Sequence, residues 1–118
     1  MRTDPVERDI QQAIRQAFWM MHRIRLMPID AGGVGMRSAG SSHVGATGIP
    51  PGFPDLLGII PASGRAIFVE VKRQGQKPRV NQVEFLAWAN RQNAVAFWAS
   101  SVDDALRQFN EQMKGAGG

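Results

Sequence analysis

Cysteine is missing from all 118 residues. Its absence excludes disulfide frameworks, CxxC zinc sites and thiol nucleophiles, and it suits a reducing cytosol. Long apolar runs are missing as well, since none approaches the roughly 20 residues that span a bilayer. The first ten residues, MRTDPVERDI, carry charges where a signal peptide has its apolar stretch, so a soluble cytoplasmic protein is expected. P-loop, HExxH and GxSxG motifs are absent. Gly33-Val34-Gly35 lacks the third glycine and the following helix of a dinucleotide fingerprint. Lysine is scarce, with 3 against 11 arginines.

What is present points elsewhere. Hydrophobic residues make up 43% and charged ones 20%, a globular composition that argues against disorder. At roughly 150 residues per domain, the chain forms one domain spanning the whole sequence. The net charge is +4, and arginine forks pair with phosphate bidentately, so the balance leans towards nucleic acid. Lys72, Arg73, Lys77 and Arg79 form an acid-free basic run. Taken alone, that run is also what a solvated loop looks like.

Helix and strand signals order the chain. Asp4-Pro5-Val6-Glu7 reads as a helix start, with Asp4 as N-cap and Glu7 as the reciprocal cap. Ile10, Ile14, Ala17, Phe18 and Met21 recur at helical spacing, and the helix should end near Arg23. Residues 25–29 read as a short extended stretch that Pro28 places at a sheet edge. Residues 30–54 hold seven glycines and no clear periodicity, and loops of that length are often functional. Strands at 55–60 and 66–72 flank the turn Pro61-Ala62-Ser63-Gly64 and form a hairpin. A helix over 80–92, a strand over 94–99 and a last helix capped by Ser101 and Asp104 follow, before a tail that frays over 114–118. The expected fold class is α/β, a small mixed β-sheet flanked by helices.

Strand parity singles out the chemistry. In Ala66-Ile67-Phe68-Val69-Glu70-Val71-Lys72, Glu70 and Lys72 share one face, while Ile67, Val69 and Val71 fill the core-facing one. Hairpin pairing brings Asp55, which follows Pro54, to the same end of the sheet. Two carboxylates with a neighbouring lysine can hold a hard divalent cation through oxygen ligands and act on a phosphodiester. Each residue has a plain structural explanation by itself: Asp after Pro starts strands, and Glu-x-Lys on a strand is usually a solvated ion pair. The conjunction is more specific.

Gly52-Phe53-Pro54-Asp55 followed by Glu70-Val71-Lys72 resembles the PD-(D/E)XK nuclease signature, and more narrowly the stand-alone VRR-NUC proteins of phages and bacteria. Glu7, Asp55, Glu70, Lys72, Pro78 and Gln82 follow that pattern in order, and the resemblance runs from about residue 7 to residue 109. It is weakest in the Gly-rich loop. The resemblance implies a restriction-endonuclease-like core in which Asp55, Glu70 and the backbone carbonyl of Val71 bind Mg²⁺ or Mn²⁺. Glu7 is a further candidate ligand, Lys72 assists the attacking water, and Gln82 orients Lys72 or the phosphate. It further implies a homodimer that cuts branched DNA, four-way (Holliday) junctions in particular. Apart from the resemblance, the basic residues Arg37, Arg73, Lys77 and Arg79 are expected to hold the substrate.

Several residues carry competing readings. Glu7 is already explained by the capping box, yet it continues the apolar stripe of its helix. Gln82, in a helix's first turn, reads from its position alone as solvated. His22 reads as a helix-end or surface residue, and His43 has no evident partner. Trp88 and Trp98 read as core, and Trp19 as a dimer-interface candidate. Two rivals to a nuclease stand beside these assignments. One is a non-catalytic nucleic-acid binding module on the same fold, and the other is an interaction protein that docks through Trp19 and the first helix.

Overall fold

The computed structural model describes residues 5–29 and 48–116. Asp4, Arg37 and His43, together with most of the Gly-rich loop, lie outside those residues. The elements run α1 (Pro5–His22), β1 (Met27–Pro28), β2 (Leu56–Ile59), β3 (Ala66–Val71), α2 (Val80–Arg91), β4 (Val95–Ala99) and α3 (Val102–Ala116). The strands form one sheet in the order β1-β2-β3-β4. The first three are antiparallel, and β4 joins β3 in parallel through the α2 crossover. This is the small mixed sheet with flanking helices expected from the sequence.

Pro5 opens α1, where its missing N–H costs nothing. The helix ends at Arg23, whose φ of 56° turns the chain as its N–H donates to the Trp19 carbonyl. The inward face of α1 buries Ile14 and Phe18 completely. These side chains pack with Ile67, Val69 and Val71 of β3 and with Ala105 and Phe109 of α3 in one core. Period-two alternation along β3 therefore places its three aliphatic residues against α1 and α3. The opposite face carries Ala66 and Phe68 towards α2, where Leu86, Ala89 and Ala96 form a second, smaller core.

Three expectations change. Trp88 is not core: it is 48% exposed, because α2 turns Gln82, Leu86 and Ala89 inward and leaves Trp88 at the margin of that stripe. Helix α3 does not fray at Lys114 but continues to Ala116. His22 ends α1 as expected, yet it is half-buried, with its ring 4.6 Å from that of Phe109 and 5.9 Å from that of Phe18. The predicted cap of α3 is present, with the Asp104 N–H donating to Ser101 Oγ at 3.1 Å. Among the described residues no helix is long and apolar enough to cross a membrane.

Candidate metal centre and active site

The register of the hairpin builds the site. Leu56 pairs with Val69, so Asp55 comes opposite Glu70, one step beyond the last paired residue of β2. The two acids then hold each other's backbone. The Asp55 N–H donates to Glu70 Oε1 at 3.1 Å, and the Val71 N–H donates to Asp55 Oδ2 at 3.0 Å. On the other side of the hairpin, the Ile29 N–H donates to the Asp55 carbonyl at 2.7 Å, which ties the edge strand to the same point. Pro54, fully buried, fixes the approach to Asp55.

Phe53 anchors the incoming loop, with its ring 5.0 Å from Phe85 and 5.8 Å from Phe68. Gly52, at φ 85°, lies so close to the start of α2 that an added Cβ would stand 2.6 Å from the Asn81 carbonyl oxygen. Any side chain at this position would push the Pro54-Asp55 corner off α2. Gly-Phe-Pro-Asp is thus a folding unit: glycine for the close approach, phenylalanine for the anchor, proline for the path and aspartate for the site.

Glu70 is 2% exposed. Gln82 Nε2 donates to its Oε2 at 2.8 Å, and Lys72 Nζ lies 3.3 Å from the same oxygen. Gln82 is itself 6% exposed, so the solvated reading of this residue is overturned. Its side-chain oxygen accepts the Arg79 N–H at 2.7 Å. One amide therefore caps α2 and fixes a carboxylate. The partner of Gln82 is Glu70, where the resemblance implied Lys72 or phosphate.

Burial pushes the Glu70 carboxyl up to about 7, and the neighbouring Asp55 charge pushes it the same way against the pull of Lys72. Asp55 is likewise raised by burial, opposed by the Val71 N–H and by Lys72. Two desolvated acids share one ammonium, which contacts Glu70 and acts on Asp55 through its charge, so the site is short of positive charge. Among the described residues no third acid or histidine gathers with them. Glu7 is half-buried in the first turn of α1, outside this pair. The donor set observed is accordingly two carboxylate side chains. It fits a hard cation such as Mg²⁺, which binds through one or two carboxylates and keeps several waters.

Lys72 is extended from the end of β3 with its side chain 14% exposed, and its backbone N–H donates to the Ala99 carbonyl at 3.0 Å. Arg73, Lys77 and Arg79 follow on the exposed connection to α2. The basic run is therefore solvent-facing and adjacent to the acids in the chain, able to meet phosphate while the carboxylates stay behind it. Sequence reasoning had no signal for the Gln82–Glu70 contact, because a helix residue and a strand residue 12 positions apart meet only through the crossover.

Two solved structures share this fold over most of the chain. One, titled "VRR_NUC domain", aligns with a TM-score of 0.62 at 22% identity, covering 89% of this chain and 95% of that one. The other, titled "VRR_NUC domain protein", aligns with a TM-score of 0.60 at 13% identity, covering 97% and 92%. No protein-family model matches the sequence, and no curated protein sequence is similar to it. The fold is that of the VRR-NUC domains.

Proposed function

We propose that this chain is a VRR-NUC-type nuclease, an Mg²⁺- or Mn²⁺-dependent endonuclease that hydrolyses DNA phosphodiester bonds. The observation that carries the reading is the interlocked group of Asp55, Glu70 and Lys72 at one sheet end, with Glu70 buried and the other two half-buried beside an exposed basic connection. The likeness in fold to two VRR_NUC structures supports it.

A bound divalent cation supplies neutralisation of the scissile phosphate and lowers the pKa of a water. Asp55 and Glu70, with the Val71 carbonyl, are the residues to hold it, and Glu7 is an additional candidate. Lys72 is the residue to orient the attacking water and stabilise the charge that develops on the phosphate. Gln82 is a positioning residue that keeps Glu70 Oε2 in place. Arg73, Lys77 and Arg79 bind flanking phosphates, and Arg37 joins them in the proposal. A clustered pair of acids repels DNA unless a cation screens it, which favours catalysis over a pure binding module.

The preferred substrate is branched DNA, and a homodimer would present two such sites to a symmetric junction. Closed circular plasmid tests the endonuclease directly, because it has no ends. Nicking or linearisation with Mg²⁺ and none with EDTA is the expected result. An unchanged supercoiled band under both conditions contradicts the proposal. Size-exclusion chromatography with and without a four-way junction checks the dimer.

A further inference from the structure

Away from the acids, the outer side of α1 and the segment leading into β1 enclose an open groove of about 540 Å³ lined by Gln12, Arg15, Gln16, Trp19, Arg25 and Leu26. No carboxylate is among these residues, and the nearest acid along α1, Asp9, lies almost a turn before Gln12. Trp19 is 42% exposed, with the guanidinium carbons of Arg23 and Arg25 only 4.9 and 5.2 Å from its ring centroid. Arg15 Nε donates to the Leu26 carbonyl at 3.0 Å and its Nη1 to Gln12 Oε1 at 3.3 Å, so the groove wall is itself braced.

Two guanidiniums gathered on one indole repel each other. The face of the ring offsets part of that repulsion and holds both forks in place before any ligand arrives. A third arginine, Arg15, lines the same groove. Such a fixed, acid-free set is complementary to phosphate oxygens, which arginine forks bind bidentately. The groove also lies within reach of the acids. Ile29, four residues after Arg25, is hydrogen-bonded to Asp55, so chain reach alone limits the separation of Arg25 and Ile29 to about 13 Å at ~3.3 Å per residue. A small anion would fill only one end of such a span, whereas a polyanion can occupy the groove and reach the carboxylate end together.

We infer that the α1–β1 groove is a second DNA-binding surface, in which Arg25 within it and Arg23 at its Trp19 rim bind backbone phosphates of the strand that reaches Asp55, Glu70 and Lys72. The inference rests on the nuclease reading for that last part only. The groove binds phosphate through the backbone and carries no base-specific contact, so it adds affinity without sequence preference.

The test is binding of a fluorescein-labelled DNA duplex in EDTA, followed by anisotropy over a series of salt concentrations. Arg23→Glu with Arg25→Glu is compared with a charge-matched control, Arg91→Glu with Lys114→Glu, on exposed helix ends elsewhere. The expected result is at least about a ten-fold loss for the groove pair, with the logarithmic salt slope lower by about 2, since each phosphate contact contributes ~0.9. Trp19→Ala should lose affinity in the same direction. If the Glu pair misfolds by circular dichroism, Arg23→Gln with Arg25→Gln replaces it, with a smaller loss expected. Wild-type affinity in the groove pair overturns the inference, and so does an equal loss in the control, which would reduce the effect to net charge. Binding is read without metal, so a chain that binds as described but never cuts loses the nuclease reading and keeps the groove. A chain that cuts while the groove pair binds like wild type loses only the groove.

Discussion

Gln82 and Glu70 are held together by a single amide with two obligations. Its nitrogen donates to Glu70 Oε2 at 2.8 Å, and its oxygen accepts the Arg79 N–H at the start of α2 at 2.7 Å. The two contacts fix the orientation of the amide, and the amide fixes the carboxylate, so the helix start and the acidic site are one structure. Gln82→Ala should cost about 1–2 kcal/mol through the lost cap and the unpaired carboxylate oxygen. It should also weaken Mg²⁺ binding ~10–100-fold, as lost outer partners of metal ligands do. Thermal unfolding and calorimetric titration read the two effects separately. A stability loss with unchanged metal affinity would reduce Gln82 to a cap.

The acids make stability depend on pH in a defined direction. Glu70 is raised from 4.5 to about 7 in the folded chain, with Asp55 raised as well. Between those values the native state holds a proton that the unfolded chain has released. The stabilisation is complete below 4.5 and is lost as pH rises through about 7. The metal-free protein should therefore be less stable at high pH than near pH 5, by up to about 3 kcal/mol. Added Mg²⁺ should restore most of the loss at high pH and little at low pH. Denaturant melts across pH, with and without Mg²⁺, check this. A flat profile would show that the two carboxylates are not mutually destabilised.

Gly52→Ala addresses the corner that carries Asp55. A Cβ there would sit 2.6 Å from the Asn81 carbonyl oxygen, at a φ of 85° that other residues adopt with strain. A loss of about 1–3 kcal/mol is expected. Cleavage should fall further than stability does, because Asp55 moves with the loop. Chemical denaturation paired with turnover measures the difference, and wild-type behaviour in both would mean that the corner adjusts freely.

The basic connection should set the salt dependence of DNA binding. Replacing Arg73, Lys77 and Arg79 together by alanine should lower the logarithmic salt slope by about 2–3. The measurement is again anisotropy across salt, and an unchanged slope would remove this segment from the interface.

Much of this site was legible in the sequence because a strand has a period of two. Glu70 and Lys72 had to share a face, Ile67, Val69 and Val71 had to share the other, and the hairpin had to return Asp55 to them. The buried face of β3 and the interlocked hydrogen bonds follow that pattern. Trp88 reads as core but stands at the margin, because residue type is a poor guide where a helix covers a sheet with only a narrow stripe. Gln82 departs from its reading for a different reason. A polar residue in a first helical turn is usually wet, and only the β3-α2-β4 crossover shows that this one points beneath the helix at Glu70. The arginines on Trp19 leave no mark in the sequence because they follow the helix end, where no periodicity links Arg23 and Arg25 to the ring.

The most direct measurement compares wild type with Lys72→Ala on a labelled four-way junction, a flap and a plain duplex, each with Mg²⁺, Mn²⁺ or EDTA. Cleavage that requires the metal and drops ~10²-fold or more in the variant is the predicted result, the range typical of a lost transition-state contact. DNA binding should stay near wild type, and the junction should be cut best. Equal cutting by both proteins, or none by either while both bind DNA, would contradict the assignment of Asp55, Glu70 and Lys72 as the catalytic group.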